Sequence, residues 1–204
     1  MAAKIQKIKM KRLIVGITGA SGSIYGIRLL EAINGKVETH LVITHTAKKI
    51  IEFETSYDID SVMGLASFVH DNNDLMSPIS SGSFKTDGMV IIPCSIKSLS
   101  AVANSYTESL IARAADVSLK ECRKLVLSVR ETPFHTGHLK LMLKITENGG
   151  VIIPPIPAFY NKPETIGDLI DHTVGKILDF LDIEHSLYKR WEGNNITGCR
   201  YDQV

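Results

Sequence analysis

The sequence predicts an α/β fold, a parallel sheet with helices on both faces. Three observations carry the expectation. Short apolar runs alternate with helical patterns along the chain, the order that strand–helix–strand connections produce. Met89–Pro93 and Leu125–Val129 are near-continuous apolar runs, as strands covered on both faces are. Ile166–Leu181 carries Leu169, Ile170, Val174, Ile177 and Leu178 on one stripe, the signature of a helix packed against such a sheet.

Each element follows from its own residues. Lys11–Ile17 reads as the first strand, and Ser23–Ile33 has helical spacing. Thr39–Thr44 is a second strand and Ala47–Thr55 a second helix. Asp71–Ser83 is polar and reads as a surface excursion. Met89–Pro93 comes next, then Leu110–Glu121, a helix whose alanines permit close packing. Leu125–Val129 precedes a helix over Leu139–Asn148, which stops at Gly149-Gly150. Val151–Ile153 is a last short strand before Pro154-Pro155. No repeat, low-complexity tract or linker divides the chain. The expected organisation is a flexible N-terminal extension over 1–9, a single domain over 10–193 and a C-terminal tail over 194–204.

Bulk properties exclude several function classes. The 204 residues suffice for one full core. Lys+Arg 23 against Asp+Glu 22 leaves a net charge of +1, which offers nucleic acid no electrostatic footprint. No apolar run is long enough to span a bilayer, and Met1–Lys9 has no apolar core of a secretory signal. Cys94, Cys122 and Cys199 show no paired spacing, as expected of a reducing cytoplasm.

Ligands of parallel sheets bind beyond the carboxyl ends of the strands, near a switch in strand order. Four loops occupy such positions: Thr18–Gly22, Thr44–Thr46, Cys94–Ser98 and Arg130–Thr136. The first joins a strand to a helix through Gly16, Gly19 and Gly22, with Thr18 and Ser21 adding hydroxyls. Free N–H groups and the helix dipole favour an anion there, a nucleotide phosphate against the alternative of a plain turn. Its spacing is not that of the dinucleotide GxGxxG loop. In Pro93–Ser98, the hydroxyls of Ser95 and Ser98 suit a phosphate or heterocycle, or else cap a helix starting at Ser98. Lys97 either assists or is solvated. Arg130 offers a planar fork to an anionic or carbonyl ligand, and Glu131 an acid or base. The alternative for that pair is a surface ion pair. His135 and His138 read as capping or surface residues. His40, His45, His70, His172 and His185 are scattered, and Cys94 reads as a small core residue. Lys176, at the edge of the apolar stripe, either snorkels or reaches an anion. Trp191 covers a pocket or seals a subunit contact.

Five motifs now stand in order: Gly-Ile-Thr-Gly-Ala-Ser-Gly (16–22), Pro-Cys-Ser-Ile-Lys-Ser (93–98), Arg-Ala-Ala-Asp-Val (113–117), Leu-Val-Leu-Ser-Val-Arg-Glu-Thr-Pro (125–133) and Pro-Pro-Ile-Pro-Ala-Phe-Tyr (154–160). Together they closely resemble the UbiX/Pad-type flavin prenyltransferases, from about Met10 to about Gly193. The resemblance implies a Rossmann-like flavoprotein fold that binds FMN. It implies transfer of a dimethylallyl group from dimethylallyl monophosphate to N5 and C6 of reduced FMN, without a metal. The prenylated FMN would serve a UbiD-type decarboxylase, and the protein would be a homo-oligomer, a dodecamer, with sites formed between subunits.

The resemblance also assigns residues. Gly19, Ala20, Ser21, Thr44, Ser95, Ile96, Lys97, Ser98 and Arg130 would meet the flavin. Tyr160, Lys176 and Lys120 would hold the prenyl phosphate. Glu131 would assist phosphate departure, Ser21 would help remove a proton at ring closure, and Glu54 matches the glutamate near the substrate. Two departures stand out: Thr44 where Ser is frequent, and Lys176 where Arg is frequent, which keeps the charge but loses the bidentate fork. Two other readings remain beside this one: a non-catalytic FMN carrier for an aromatic-acid decarboxylase, and an FMN-dependent decarboxylase of cysteine substrates.

Overall fold

The computed structural model describes residues 10–190. The expectations for 1–9, for 194–204 and for Trp191 concern residues outside that range. Among the described residues six parallel strands form one sheet: β1 (Arg12–Ile17), β2 (Glu38–Ile43), β3 (Phe68–His70), β4 (Gly88–Cys94), β5 (Lys124–Val129) and β6 (Val151–Ile152). Their order is β3-β2-β1-β4-β5-β6. Gly16 of β1 stands in register with Val42 on one side and Ile91 on the other. The chain winds outward from β1 to β3, then returns to place β4 beside β1. The switch in strand order therefore lies between β1 and β4, where a crevice opens.

Seven α-helices complete the fold among the described residues: α1 (Ser23–Ile33), α2 (His45–Glu54), α3 (Ile59–Gly64), α4 (Ile96–Ala103), α5 (Leu110–Lys120), α6 (Thr136–Glu147) and α7 (Ile166–Phe180). The period-2 alternation of the strands feeds two cores. Leu13, Val15, Ile17, Val90 and Ile92 pack with α1 and α7 on one face. Ile14, Met89 and Ile91 pack with α4, α5 and Ile145 of α6 on the other. Each fully buried Ile or Leu stabilises the fold by about 1.5–3 kcal/mol, which explains why the central strands are apolar on both faces.

Several boundaries differ from the sequence expectation. β3 has no signal in the sequence because it is a three-residue edge strand, with Phe68 and Val69 exposed rather than buried in an apolar run. α3 is a six-residue helix started by Asp58, whose carboxylate accepts the Ser61 N–H. α4 starts at Ile96, not at Ser98: Ser95 is the cap, and its hydroxyl accepts the Ser98 N–H at 3.3 Å. α6 begins at Thr136, three residues before Leu139, capped by the His135 side chain. At α7, Thr165 and Asp168 form a capping box.

Candidate active site at the strand exits

The β1 and β4 exits are fastened together by one side chain. Thr18 is buried, and its hydroxyl donates to the Pro93 carbonyl (2.8 Å) while accepting the Ser95 N–H (2.8 Å). Thr18 was expected to offer its hydroxyl to a ligand; the structure spends it on joining two loops. Beyond this joint lies a cavity of about 730 Å³. All four strand-exit loops contribute to its wall: Gly19 after β1, Thr44 after β2, Ser95 to Ser98 after β4, and Glu131 after β5.

Local chemistry explains these positions. Thr44 caps α2, its Oγ1 accepting the Ala47 N–H at 3.2 Å. Ser95 and Ser98 share a hydroxyl–hydroxyl bond of 3.1 Å at the start of α4. At Gly19 a Cβ would stand 2.8 Å from Thr46 Cγ2, so only glycine lets this turn close on the β2 exit. Glu131 is half-buried, and one of its carboxylate oxygens accepts the Thr132 N–H at 2.9 Å. Arg130 stands beside it, its main-chain N–H bonded to the Cys94 carbonyl. Its Nε is buried without a hydrogen-bond partner among the described residues.

The wall also holds residues that the sequence reading missed. Asn72 and Asn73 belong to the polar segment 71–83, which reads as a surface excursion but folds back onto the cavity, and Tyr106, Glu108 and Ser109 precede α5. Asn72 is anchored there, its carbonyl accepting the Leu110 N–H (2.8 Å) and its side-chain oxygen the Ile111 N–H (3.2 Å). The polar run 71–83 was a visible signal; what it bends back onto was not.

The anion at the N-terminus of α1 is supplied by the protein. Glu54, the last residue of α2, accepts the Gly22 N–H at 2.8 Å and the Ser23 N–H at 3.4 Å. Gly22 holds φ +93°, the left-handed turn that lets the loop enter the helix. Burial pushes the Glu54 carboxyl up, but hydrogen bonds from the Ser21 hydroxyl and these two N–H groups outweigh it, and the group is held below the ordinary glutamate range. The expectation of a ligand phosphate at this helix end is thereby corrected: Glu54 already sits on it. Ser21 and Glu54 are brought together, whereas Ala20 is buried.

A second cluster gathers on α7. Tyr160 Oη lies 2.7 Å from His172 Nε2, and Lys176, one turn further along the helix, acts electrostatically on the same imidazole. Lys120 does not join them. It ends α5, paired with Glu121 beside Gly82. α5 starts at the cavity wall and runs back along the sheet for 11 residues, roughly 15 Å, which carries Lys120 to the opposite edge of its own chain. Two histidines expected to be scattered are also paired: His40 Nδ1 and His70 Nε2 are 2.9 Å apart, because β2 and β3 lie side by side. Cys94 is buried, and burial pushes its thiol far above the ordinary range, which removes it as a nucleophile. Among the described residues no group of three or more His, Cys, Asp or Glu stands together to hold a metal ion. No described helix is long and apolar enough to cross a membrane.

Fold and site together define an α/β protein with a ligand cavity at its topological switch point, and comparison with known proteins gives it a family. Residues 1–191 match the Flavoprotein family model. The chain is 56% identical over 184 residues to the flavin prenyltransferase UbiX of Thauera aromatica, covering 90% of this chain and 95% of that one. It is 54% identical over 188 residues to the UbiX of Salmonella typhimurium, covering 90% and 100%. Among solved structures, AnUbiX (PadA1) in complex with FMN and dimethylallyl pyrophosphate superposes with a TM-score of 0.89 at 47% identity, covering 91% of this chain and 99% of that one. A dodecameric FMN-dependent UbiX-like decarboxylase from Escherichia coli O157:H7 gives 0.87 at 49% identity, covering 89% and 100%. The chain belongs to the UbiX flavin prenyltransferases of the Flavoprotein family.

The residues present fit an FMN. The cavity offers hydroxyls from Thr44, Ser95, Ser98 and Ser109, a cation in Lys97 and the Gly19 backbone in its wall. These are the groups that a phosphate, a ribityl chain and a heteroaromatic edge require.

Proposed function

We propose that this protein joins a dimethylallyl group from dimethylallyl monophosphate to N5 and C6 of reduced FMN, without a metal ion, and that the prenylated FMN goes to a UbiD-type decarboxylase. The observation that carries the reading is a cavity walled by all four strand-exit loops, with Glu131 in its wall. The protein acts in the cytoplasm as a homo-oligomer, a dodecamer.

Gly19, Ala20, Ser21, Thr44, Ser95, Ile96, Lys97 and Ser98 hold the flavin, and Arg130 directs its guanidinium to it. Reduced FMN supplies an electron-rich centre that captures the allylic cation. The residues of the chain do the rest. Tyr160 and Lys176 hold the phosphate of the prenyl ester. Glu131 passes a proton to the departing phosphate, which lowers the barrier to breaking the C–O bond. Two or three cations or donors suffice for a monophosphate, and Tyr160 and Lys176 supply two of them. Ser21, hydrogen-bonded to an ionised Glu54, helps remove a proton at ring closure: its hydroxyl passes its own proton to the Glu54 carboxylate as it takes one from the flavin. Lys120, held away from its own cavity, serves the phosphate site of a neighbouring copy.

Anaerobic incubation with reduced FMN and the monophosphate ester, with the diphosphate run in parallel, is expected to give a flavin heavier by one prenyl unit. Glu131→Gln is expected to lower this rate by about 10²–10⁴-fold while FMN still binds. A Glu131→Gln protein that still activates a UbiD-type decarboxylase would point instead to an FMN carrier.

A further inference from the structure

His172 stands outside every role assigned above, yet it is the hinge of the α7 cluster. It is 7% exposed, wedged between two tyrosine rings: Tyr160 edge-on at 5.4 Å and 80°, Tyr188 at 4.9 Å and 47°. Tyr188 is itself fixed, since its hydroxyl donates to Asp179 at 2.5 Å and its ring covers Gly175, where a Cβ would come within 2.5 Å. Asp179 also takes hydrogen bonds from His185 (3.0 Å) and Arg190 (2.5 Å). A backing layer of Tyr188, Asp179, His185 and Arg190 therefore locks the imidazole, and its Nε2 meets Tyr160 Oη at 2.7 Å. Burial, and then the neighbouring Lys176 charge, push the imidazole below its ordinary proton affinity, so it is neutral near pH 7.

We propose that His172 is a positioning residue for the prenyl phosphate: its Nε2–H donates to Tyr160 Oη, so that the phenol proton is left to point at the phosphate beside Lys176. The inference rests on the prenyl-transfer reading and deepens it. A phenol that donates to imidazole has no proton left for an anion; a phenol that accepts from imidazole does. An anion next to Tyr160 selects the second tautomer. The arrangement also answers a weakness of this sequence. Lys176 is a point charge that cannot grip a phosphate bidentately, and a fixed phenol supplies the second directed donor. Lys176 and His172 lie four residues apart, on one side of α7.

The test uses the full-length, FMN-loaded protein. Dimethylallyl monophosphate is titrated calorimetrically, and steady-state prenyl transfer is measured for wild type, His172→Phe, His172→Gln, Tyr160→Phe and the double variant Tyr160→Phe/His172→Gln. His172→Phe is expected to raise KM and the ester Kd about 10-fold with kcat changed less than 3-fold and FMN affinity within 2-fold. His172→Gln, which keeps an N–H donor, recovers most of that loss. With Tyr160 already Phe, changing His172 costs nothing further. Equal losses in the Phe and Gln variants, or additive losses in the double variant, overturn the proposal, as does an unchanged KM in His172→Phe. Should His172→Phe fail to fold, the Gln variant and the double variant decide alone. A wild-type protein that binds FMN but forms no prenylated product sinks the prenyl-transfer reading instead, and the calorimetric arm still reports whether His172 acts on ester binding.

Discussion

At the scale of single residues, the site depends on side chains that never touch a ligand. Thr18 is the clearest. One hydroxyl joins two loops on either side of the switch point. Thr18→Val keeps the shape and leaves the Ser95 N–H unsatisfied, at a cost of about 1–3 kcal/mol. Urea denaturation is expected to show a lower midpoint with an unchanged slope, and FMN affinity is expected to fall because the Ser95 cap of α4 is released. An unaltered midpoint would mean that water replaces the hydroxyl. Glu54 makes the same point with the opposite sign. A carboxylate at a helix N-terminus looks like a structural cap, but the Ser21 hydroxyl that it orients is assigned to proton removal.

At the scale of elements, the approach of α1 to the sheet fixes where the first loop ends. Gly26 faces β4, and a Cβ there would lie 2.5 Å from the Ile92 carbonyl oxygen. Gly26→Ala gains helix propensity of about 1 kcal/mol but forces α1 off backbone that cannot yield. The net effect is a loss of about 1–3 kcal/mol, visible as a lower melting temperature. β3 is held differently. Arg12 Nε donates to Glu38 at 2.5 Å, His40 Nε2 lies 3.0 Å from the same carboxylate oxygen, and His40 and His70 lead on to Ser77 at 2.8 Å. Burial lowers the proton affinity of both imidazoles. The folded state thus binds fewer protons than the unfolded chain below the ordinary histidine value of about 6.5. Stability is present above that pH and is lost as pH falls below it. Melting temperatures between pH 7.5 and 5.5 are expected to decline, and His70→Gln should flatten the profile. An equally steep decline in the variant would place the titration elsewhere.

At the scale of the whole molecule, the chain carries more apolar surface than one copy needs. Phe53, Met76, Ile166 and Phe159 are 91%, 93%, 77% and 69% exposed. Large apolar side chains left this exposed are suited to contacts between copies. Twelve copies of 22.5 kDa give about 270 kDa, the mass expected from light scattering. Sites shared between copies carry a sharper expectation. Lys120→Ala and Glu131→Gln proteins should each be nearly inactive, and co-expressed mixed oligomers should regain part of the activity. Complete failure to complement would return Lys120 to a purely structural pairing with Glu121.

Much was legible in the sequence because strands buried on both faces must be apolar throughout, and helices covering them must carry a stripe. Those two constraints determined the parallel sheet, the order of the long elements and the four loops that wall the cavity. The composition of Thr18–Gly22 likewise favoured an anion at the start of α1. Only the tertiary structure decided which anion. Glu54 lies 32 residues from Gly22, and nothing in local spacing announces that the end of α2 folds back onto that turn. The return of 71–83 to the cavity, the removal of Lys120 to the far edge and the seating of His172 between Tyr160 and Tyr188 were decided in the same way. Each is a contact between segments distant in sequence, and packing rather than periodicity selects it.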